Sequence, residues 1–259
     1  MDLFHFDPAT TLSFLLTLFR ISIILFLFPF FGGEGAPWPV KAALCLVLTL
    51  GLWPAVSFSA EYFPGHPLNI ALMLMGEVII GLVLGLIVQF IFAAVQTGGQ
   101  LIGFQMGFAM MNVVDPLTGV SEAVTAHFLY MVALLVFLAL NGHLYLLKGL
   151  ADTFEYVPPG QLFISPELTK QVIKFSANMF VLAIKVASPV IVALFLVDLA
   201  LGLVARAAPQ MNVLFVGFPL KVTVGFLFLG LIFTVLSRFM ETFVSGLVPQ
   251  LRFLLQLAP

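Results

Sequence analysis

Charge is what this sequence has least of. Asp, Glu, Lys and Arg make up 8% of its 259 residues, where a soluble domain carries roughly 25%, and so few charges cannot cover a surface that faces water. With 62% hydrophobic residues, the chain reads as an integral membrane protein. A formal net charge of −2 and a pI near 6.0 leave no basic field, which excludes a nucleic-acid partner. The lone cysteine, Cys45, lies in an apolar run; no intramolecular disulfide is possible, and the residue reads as small core filler. There is no base before Arg20, so the first apolar run lacks the basic start of a secretory signal and is expected to be retained as a helix. No polar stretch reaches domain size, the longest being the roughly 20 residues around Pro158-Pro159-Gly160, and solenoid repeats and low-complexity tracts are absent. One membrane domain over 1–259 is expected. G-x-S-x-G and H-E-x-x-H motifs are missing, and His5, His66, His127 and His143 are too scattered for a ligand cluster. The reading is therefore of a non-enzyme without metal or cofactor.

What is present is a series of apolar runs punctuated by breakers. Asp7-Pro8 is a cap followed by proline at the first helical position, starting a helix to about Phe28. Pro29 and the Gly32 to Pro37 cluster end it. Trp38 and Trp53 bracket a second run of only ~22 Å, short for a bilayer. Pro54 to Pro67 connects to a third, long helix. A fourth, with Ser121 as candidate cap, runs from Ala123 to Leu140, is interrupted at Asn141-Gly142-His143, and resumes from Leu144 to Leu150. Ser165-Pro166-Glu167 is a strong start for a fifth helix reaching about Ala207. A turn from Ala208 to Asn212 leads to a sixth, expected to break near Gly246 and Pro249. Pro189 and Pro219 are expected to kink these last two helices, each longer than 30 residues. The fold class is all-α, a multi-span helical membrane protein of long, kinked hairpins with about six apolar spans.

The stretch from Gly76 to Glu122 begins as a membrane helix and outgrows it. Gly81 and Gly85, then Gly99, Gly103 and Gly107, recur every four residues, a small-xxx-small pattern on which a neighbouring helix can pack closely. As one rod from Leu68 to Gly107 it would measure ~60 Å, about twice the ~30 Å hydrocarbon thickness. It runs on into Met106, Met110, Met111, Asn112, Asp115-Pro116 and Gly119. These methionines have two readings: gap-filling at a helix end, or a soft, deformable plug.

Arg20, Glu77, Lys185, Asp198 and Lys221 stand deep in apolar runs, at ~2.5 to 3.5 kcal/mol each in hydrocarbon, so they must face protein or water. Arg20 and Glu77 fall at similar depth, roughly 11 and 9 residues from helix starts on the same side. Asp198 and Lys221 are about 11 and 12 residues from the turn at Pro209, so antiparallel packing brings them level. Both pairs read first as structural glue. A relay through Glu77, Asp198, Lys185 and Lys221 in a secondary transporter or proton-coupled permease is the alternative. Lys148, Lys170, Lys174, Arg238 and Arg252 lie on the side of both termini, against mainly Lys41 and Arg206 opposite. Positive-inside counting puts the termini in the cytoplasm.

Several segments are familiar together: Arg20 with Phe28-Pro29; Gly76-Glu77 with Gly81 and Gly85; Gly99-Gln100-Leu101-Ile102-Gly103 with Gln105-Met106-Gly107; Asp115-Pro116; Asn141-Gly142-His143; and Arg206-Ala207-Ala208-Pro209-Gln210-Met211-Asn212 followed by Gly217-Phe218-Pro219-Leu220-Lys221. Over nearly the whole chain this set resembles the FliR/SctT family of type III secretion export-gate proteins, and Gly217-Phe218 before Pro219 resembles its flagellar branch. The resemblance implies a hetero-oligomeric gate with FliP and FliQ in the flagellar basal body at the inner membrane, passing unfolded flagellar proteins. It also implies a FliP-like part over 1–164, a FliQ-like hairpin over 165–259, and a pore loop over 106–122 that plugs the closed gate. Of the hairpin tip, Arg206, Pro209, Gln210 and Asn212 would face the cytoplasmic entrance near FlhB. The family arrangement places the termini outward, opposite to positive-inside counting, and a gate drawn out of the lipid by assembly is free of that rule.

Overall fold

The computed structural model describes residues 8–32, 37–55, 66–108, 124–160 and 165–256. Among them there is no strand: the chain is all-α. The helices are α1 (Pro8–Leu27), the single turn α2 (Pro29–Gly32), α3 (Trp38–Leu52) with a short 3-10 extension (Trp53–Ala55), α4 (Pro67–Met106), α5 (Val124–Ala139), α6 (Gly142–Tyr156), α7 (Pro166–Ala207) and α8 (Val213–Leu255). The candidate caps Asp7 and Ser121 lie outside the described residues.

Local chemistry sets the boundaries. At α7 the Ser165 hydroxyl accepts the Leu168 N–H at 3.1 Å, capping a helix that opens on Pro166 and Glu167. α4 ends in a Schellman motif: Gly107 takes φ +90°, its N–H donates to Phe104 O (3.1 Å), and Phe108 N–H reaches back to Gly103 O (3.0 Å). Between α5 and α6, Asn141 adopts the left-handed conformation at φ 57°, which Asn tolerates better than most residues. That residue separates the apolar α5 from the amphipathic α6. Pro189 and Pro219 both fall inside unbroken helices.

Among the described residues four helices, α1, α4, α7 and α8, are long and apolar enough to cross a membrane, five spans if α5 and α6 together form one. α3 is the remaining apolar run of the expected six or so, and with only 15 residues it measures ~22 Å against ~30 Å of hydrocarbon. The expected break near Gly246 and Pro249 is also corrected, since α8 continues to Leu255. Leu247, Leu251 and Leu254 are buried there on one face, and their packing outweighs the hydrogen bond lost at Pro249.

The chain divides into two compact units, residues 1–90 with 141–176 and 244–259, and residues 91–140 with 177–243. In the first, Leu12, Leu16 and Met73 form a core edged by Ile70 and Leu74. Phe14 and Trp53 meet edge to face at 5.7 Å, and the indole donates to Ser13 Oγ at 3.3 Å, fixing α3 on α1. Gly81 and Gly85 face Ile23 and Leu27 of α1; a Cβ on Gly81 would stand 2.6 Å from Ile23. Cys45 is buried in α3. In the second unit, Phe92 sits edge-on to Phe137 (5.4 Å) and Tyr130 (6.0 Å). Lipid is as apolar as leucine, so packing at small residues, not burial itself, holds such helices together.

Candidate functional site

α4 carries two polar or glycine-rich constellations, one in each unit. The first is built on Arg20 and Glu77, both without solvent exposure. Arg20 Nε lies 2.5 Å from Glu77 Oε2 and Nη2 lies 3.1 Å from Oε1, a bidentate fork. The guanidinium also donates through Nη1 to the carbonyls of Thr153 (3.2 Å) and Val157 (2.8 Å), and the Gly160 N–H donates to Glu77 Oε1 at 2.7 Å. Phe154 places its ring face 4.6 Å from the guanidinium carbon. The carbonyl of Val157, just past the end of α6, is left free by the helix geometry, and a buried cation is a strong partner for it. One ion pair thus joins α1, α4, α6 and the turn through Gly160.

Thr153, Phe154, Val157 and Gly160 were not legible as members of this node, since a backbone carbonyl has no sequence signature. A second ion pair in this unit, Arg252 Nε to Asp152 Oδ2 at 2.8 Å, was also missed, because Arg252 lies past the expected end of the last helix. The signal for it was the amphipathic, acid-bearing sequence of α6 after Asn141.

The second constellation surrounds the C-terminal end of α4. Gly99 lets α4 and α5 touch: a Cβ there would stand 2.6 Å from the Ala126 backbone, and the Thr125 hydroxyl donates to Gly99 O at 2.8 Å. Gly98, which the four-residue glycine spacing passed over, faces α7, where a Cβ would stand 3.0 Å from Ala183 O. Gly103 is buried and contributes its carbonyl to the Schellman motif. Met106 is fully buried, and a Cβ at Gly225 of α8 would meet its side chain at 2.7 Å. Here the methionine is filling a gap left by a glycine. Phe218 packs over Gly107 at 3.5 Å from the position a Cβ would take.

Beside Met106 and Gly107 is a cavity of about 310 Å³ lined also by Leu201, Gly202, Val213, Leu214, Gly217 and Phe218. Its charged wall is Asp198 and Lys221, which form an ion pair across the α7–α8 hairpin. Both remain partly exposed, at 40% and 25%. An apolar cavity of about 410 Å³ lies in the same unit, lined by Phe108, Phe128, Phe226 and Phe233 with Val124, Thr125, Leu229 and Gly230. Of the hairpin tip, Arg206 lies in the last turn of α7, Pro209 and Gln210 form the exposed turn, and Asn212 Oδ1 accepts the Phe215 N–H at 3.4 Å. Met110, Met111, Asn112, Asp115, Pro116 and Gly119 lie outside the described residues. Lys185 is exposed on α7 and takes part in neither constellation.

A family profile described as "Bacterial export proteins, family 1" matches residues 11–247. The chain belongs to this export family. Its relatives carry the name flagellar biosynthetic protein FliR: the protein of Bacillus subtilis (strain 168) is 37% identical over 254 residues, 95% of each chain, and that of Escherichia coli (strain K12) is 33% identical, covering 88% of this chain and 87% of its own. The FliR of Aquifex aeolicus is 29% identical over 86% of this chain and 87% of its own. Membership in the FliR family covers both constellations, since Arg20 and Lys221 fall within the matched residues.

Proposed function

We propose that this chain is a core, non-enzymatic subunit of the flagellar type III secretion export gate, forming with FliP and FliQ the pore through which unfolded flagellar proteins leave. FliR-named relatives matched along almost the whole chain carry this reading. The helices agree with it: α4, α7 and α8 have 40, 42 and 43 residues, ~60 Å or more, and reach well beyond a bilayer. On this reading residues 1–164 are the FliP-like part, 165–259 the FliQ-like hairpin, and 106–122 the segment that closes the resting pore. Arg206, Pro209, Gln210 and Asn212 face the cytoplasmic entrance and FlhB, in the inner membrane at the basal body. Lipid contacts what the other subunits leave uncovered.

The Schellman end of α4 supports a pore segment at this place, because it fixes the direction in which the chain leaves a rigid rod. Affinity purification from membranes followed by mass spectrometry tests the assignment: FliP and FliQ are expected to co-purify with the tagged chain. A stable solitary protein that binds a small solute would overturn it in favour of a transporter using Glu77, Asp198, Lys185 and Lys221.

A further inference from the structure

α7 is buried along one side only. From Ala183 onward the buried positions are Ala183, Val186, Ala187, Val190, Ala193, Leu194 and Leu201, and the backbone of α4 meets this side at Ala183 O. At ~100° per residue, Lys185 projects about 200° round from Ala183, directly away from the packed side. Val181, Val192, Leu196, Leu199 and Leu203 share its direction to within about 40°, and all are exposed. From Val181 to Leu203 the result is an apolar stripe with one cation in it, and towards the start of the helix the same direction turns polar at Asn178 and Lys174.

Lys185 is 19 residues from the start of α7 and 22 from its end, ~30 Å of helix either way. The ammonium therefore stands mid-rod among apolar side chains, whatever covers this stretch of a helix that outgrows the bilayer. Among the described residues no carboxylate is paired with it, the ion pairs formed being Arg20 with Glu77, Lys221 with Asp198 and Arg252 with Asp152. A lysine in the middle of an apolar stripe requires an acid.

We infer that this stripe of α7 docks a membrane helix of a different subunit that carries an Asp or Glu facing Lys185. Charge complementarity selects the occupant. Hydrocarbon chains offer the ammonium nothing, and a second copy of this chain is a poor source of an acid. Glu77 and Asp198 are already paired, and Glu241 has Arg238 one turn away, a like charge that would be set beside Lys185. The inference rests on the multi-subunit reading above for the existence of a partner and adds where and by what chemistry it binds.

The test places a photo-crosslinking benzoylphenylalanine at Val181 or Val192 in the tagged chain, within its assembled complex in native membranes, and identifies the adduct by mass spectrometry. The expected adduct joins a helix of another chain with an Asp or Glu within one turn of the crosslinked residue. Lys185→Glu should then lower co-purification of that chain roughly tenfold or more, and replacing the identified acid by Lys should restore it. Adducts to lipid alone, to a second copy of this chain, or to a helix without an acid would overturn the inference. So would undiminished co-purification of the Lys185→Glu variant. If that variant fails to accumulate, the adduct formed with Lys185 intact still decides. Loss of every partner from the unaltered chain would instead sink the multi-subunit reading itself.

Discussion

Glu77 accepts three N–H groups and Arg20 has four of its five donors engaged, so removing either residue strands the other away from solvent. Arg20→Ala or Glu77→Ala is expected to destabilise the first unit by ~3 to 5 kcal/mol, while Arg20→Met with Glu77→Leu should recover a large part, because a missing pair costs less than an unpaired charge. Thermal unfolding of the purified complex in detergent measures both, and additive losses would refute the coupling. Asp198 and Lys221 belong to a different regime. Half in solvent beside a cavity, they contribute on the order of 1 kcal/mol or less. Asp198→Ala should therefore cost only a small loss of assembled complex, partly restored by Lys221→Ala; a loss as large as that at Arg20 would point to a partner outside this chain. Both pairings could be anticipated by counting residues from helix ends, because the constant rise of a helix turns sequence distance into depth, for two helices starting on one side as for an antiparallel hairpin. The count could not say which pair was dry, since dryness depends on what α6 and the turn at Gly160 place over it.

α4 was legible because its glycines keep a four-residue spacing through the change from apolar to mixed sequence, and its stop could be placed within a residue because only glycine suits φ +90° there. What spacing alone could not show was that neighbouring glycines face different helices, Gly98 towards α7 and Gly99 towards α5. Gly99→Val should separate α4 from α5 by overlapping the Ala126 backbone, which, unlike a flexible side chain, cannot step aside. Loss of assembled complex on native gels is the expected result, with Gly230→Ala, at an open position of α8, leaving assembly intact. If the proposed pore segment is a plug, replacing Ala109 to Val120 by a short Gly-Ser linker keeps the Schellman end of α4 and should give a complex that assembles but leaks, read as ion conductance when the proposed gate is expressed without the rest of the apparatus. A tight complex, or none, would make the segment a clasp and not a plug.

Over the molecule as a whole, the two compact units cut across sequence order. α7 and α8 contribute to both, which a reading of the chain from one end to the other does not reveal. Much of the apolar surface remains uncovered, including Phe195 at 59% and Phe215 at 81% exposure. Expressed alone, the chain is expected to be degraded several-fold faster than when FliP and FliQ are co-expressed, as pulse-chase labelling would show; equal lifetimes would count against an obligate complex. The buried node also sets an order of events during synthesis. Arg20 precedes Glu77 by 57 residues and Val157 by 137. At ~5 to 20 residues per second, the arginine is made about 3 to 11 s before its carboxylate and about 7 to 27 s before its last carbonyl. Throughout that interval α1 carries an unanswered charge, at ~2.5 to 3.5 kcal/mol in hydrocarbon, so the first helix synthesised is among the last to reach its final packing.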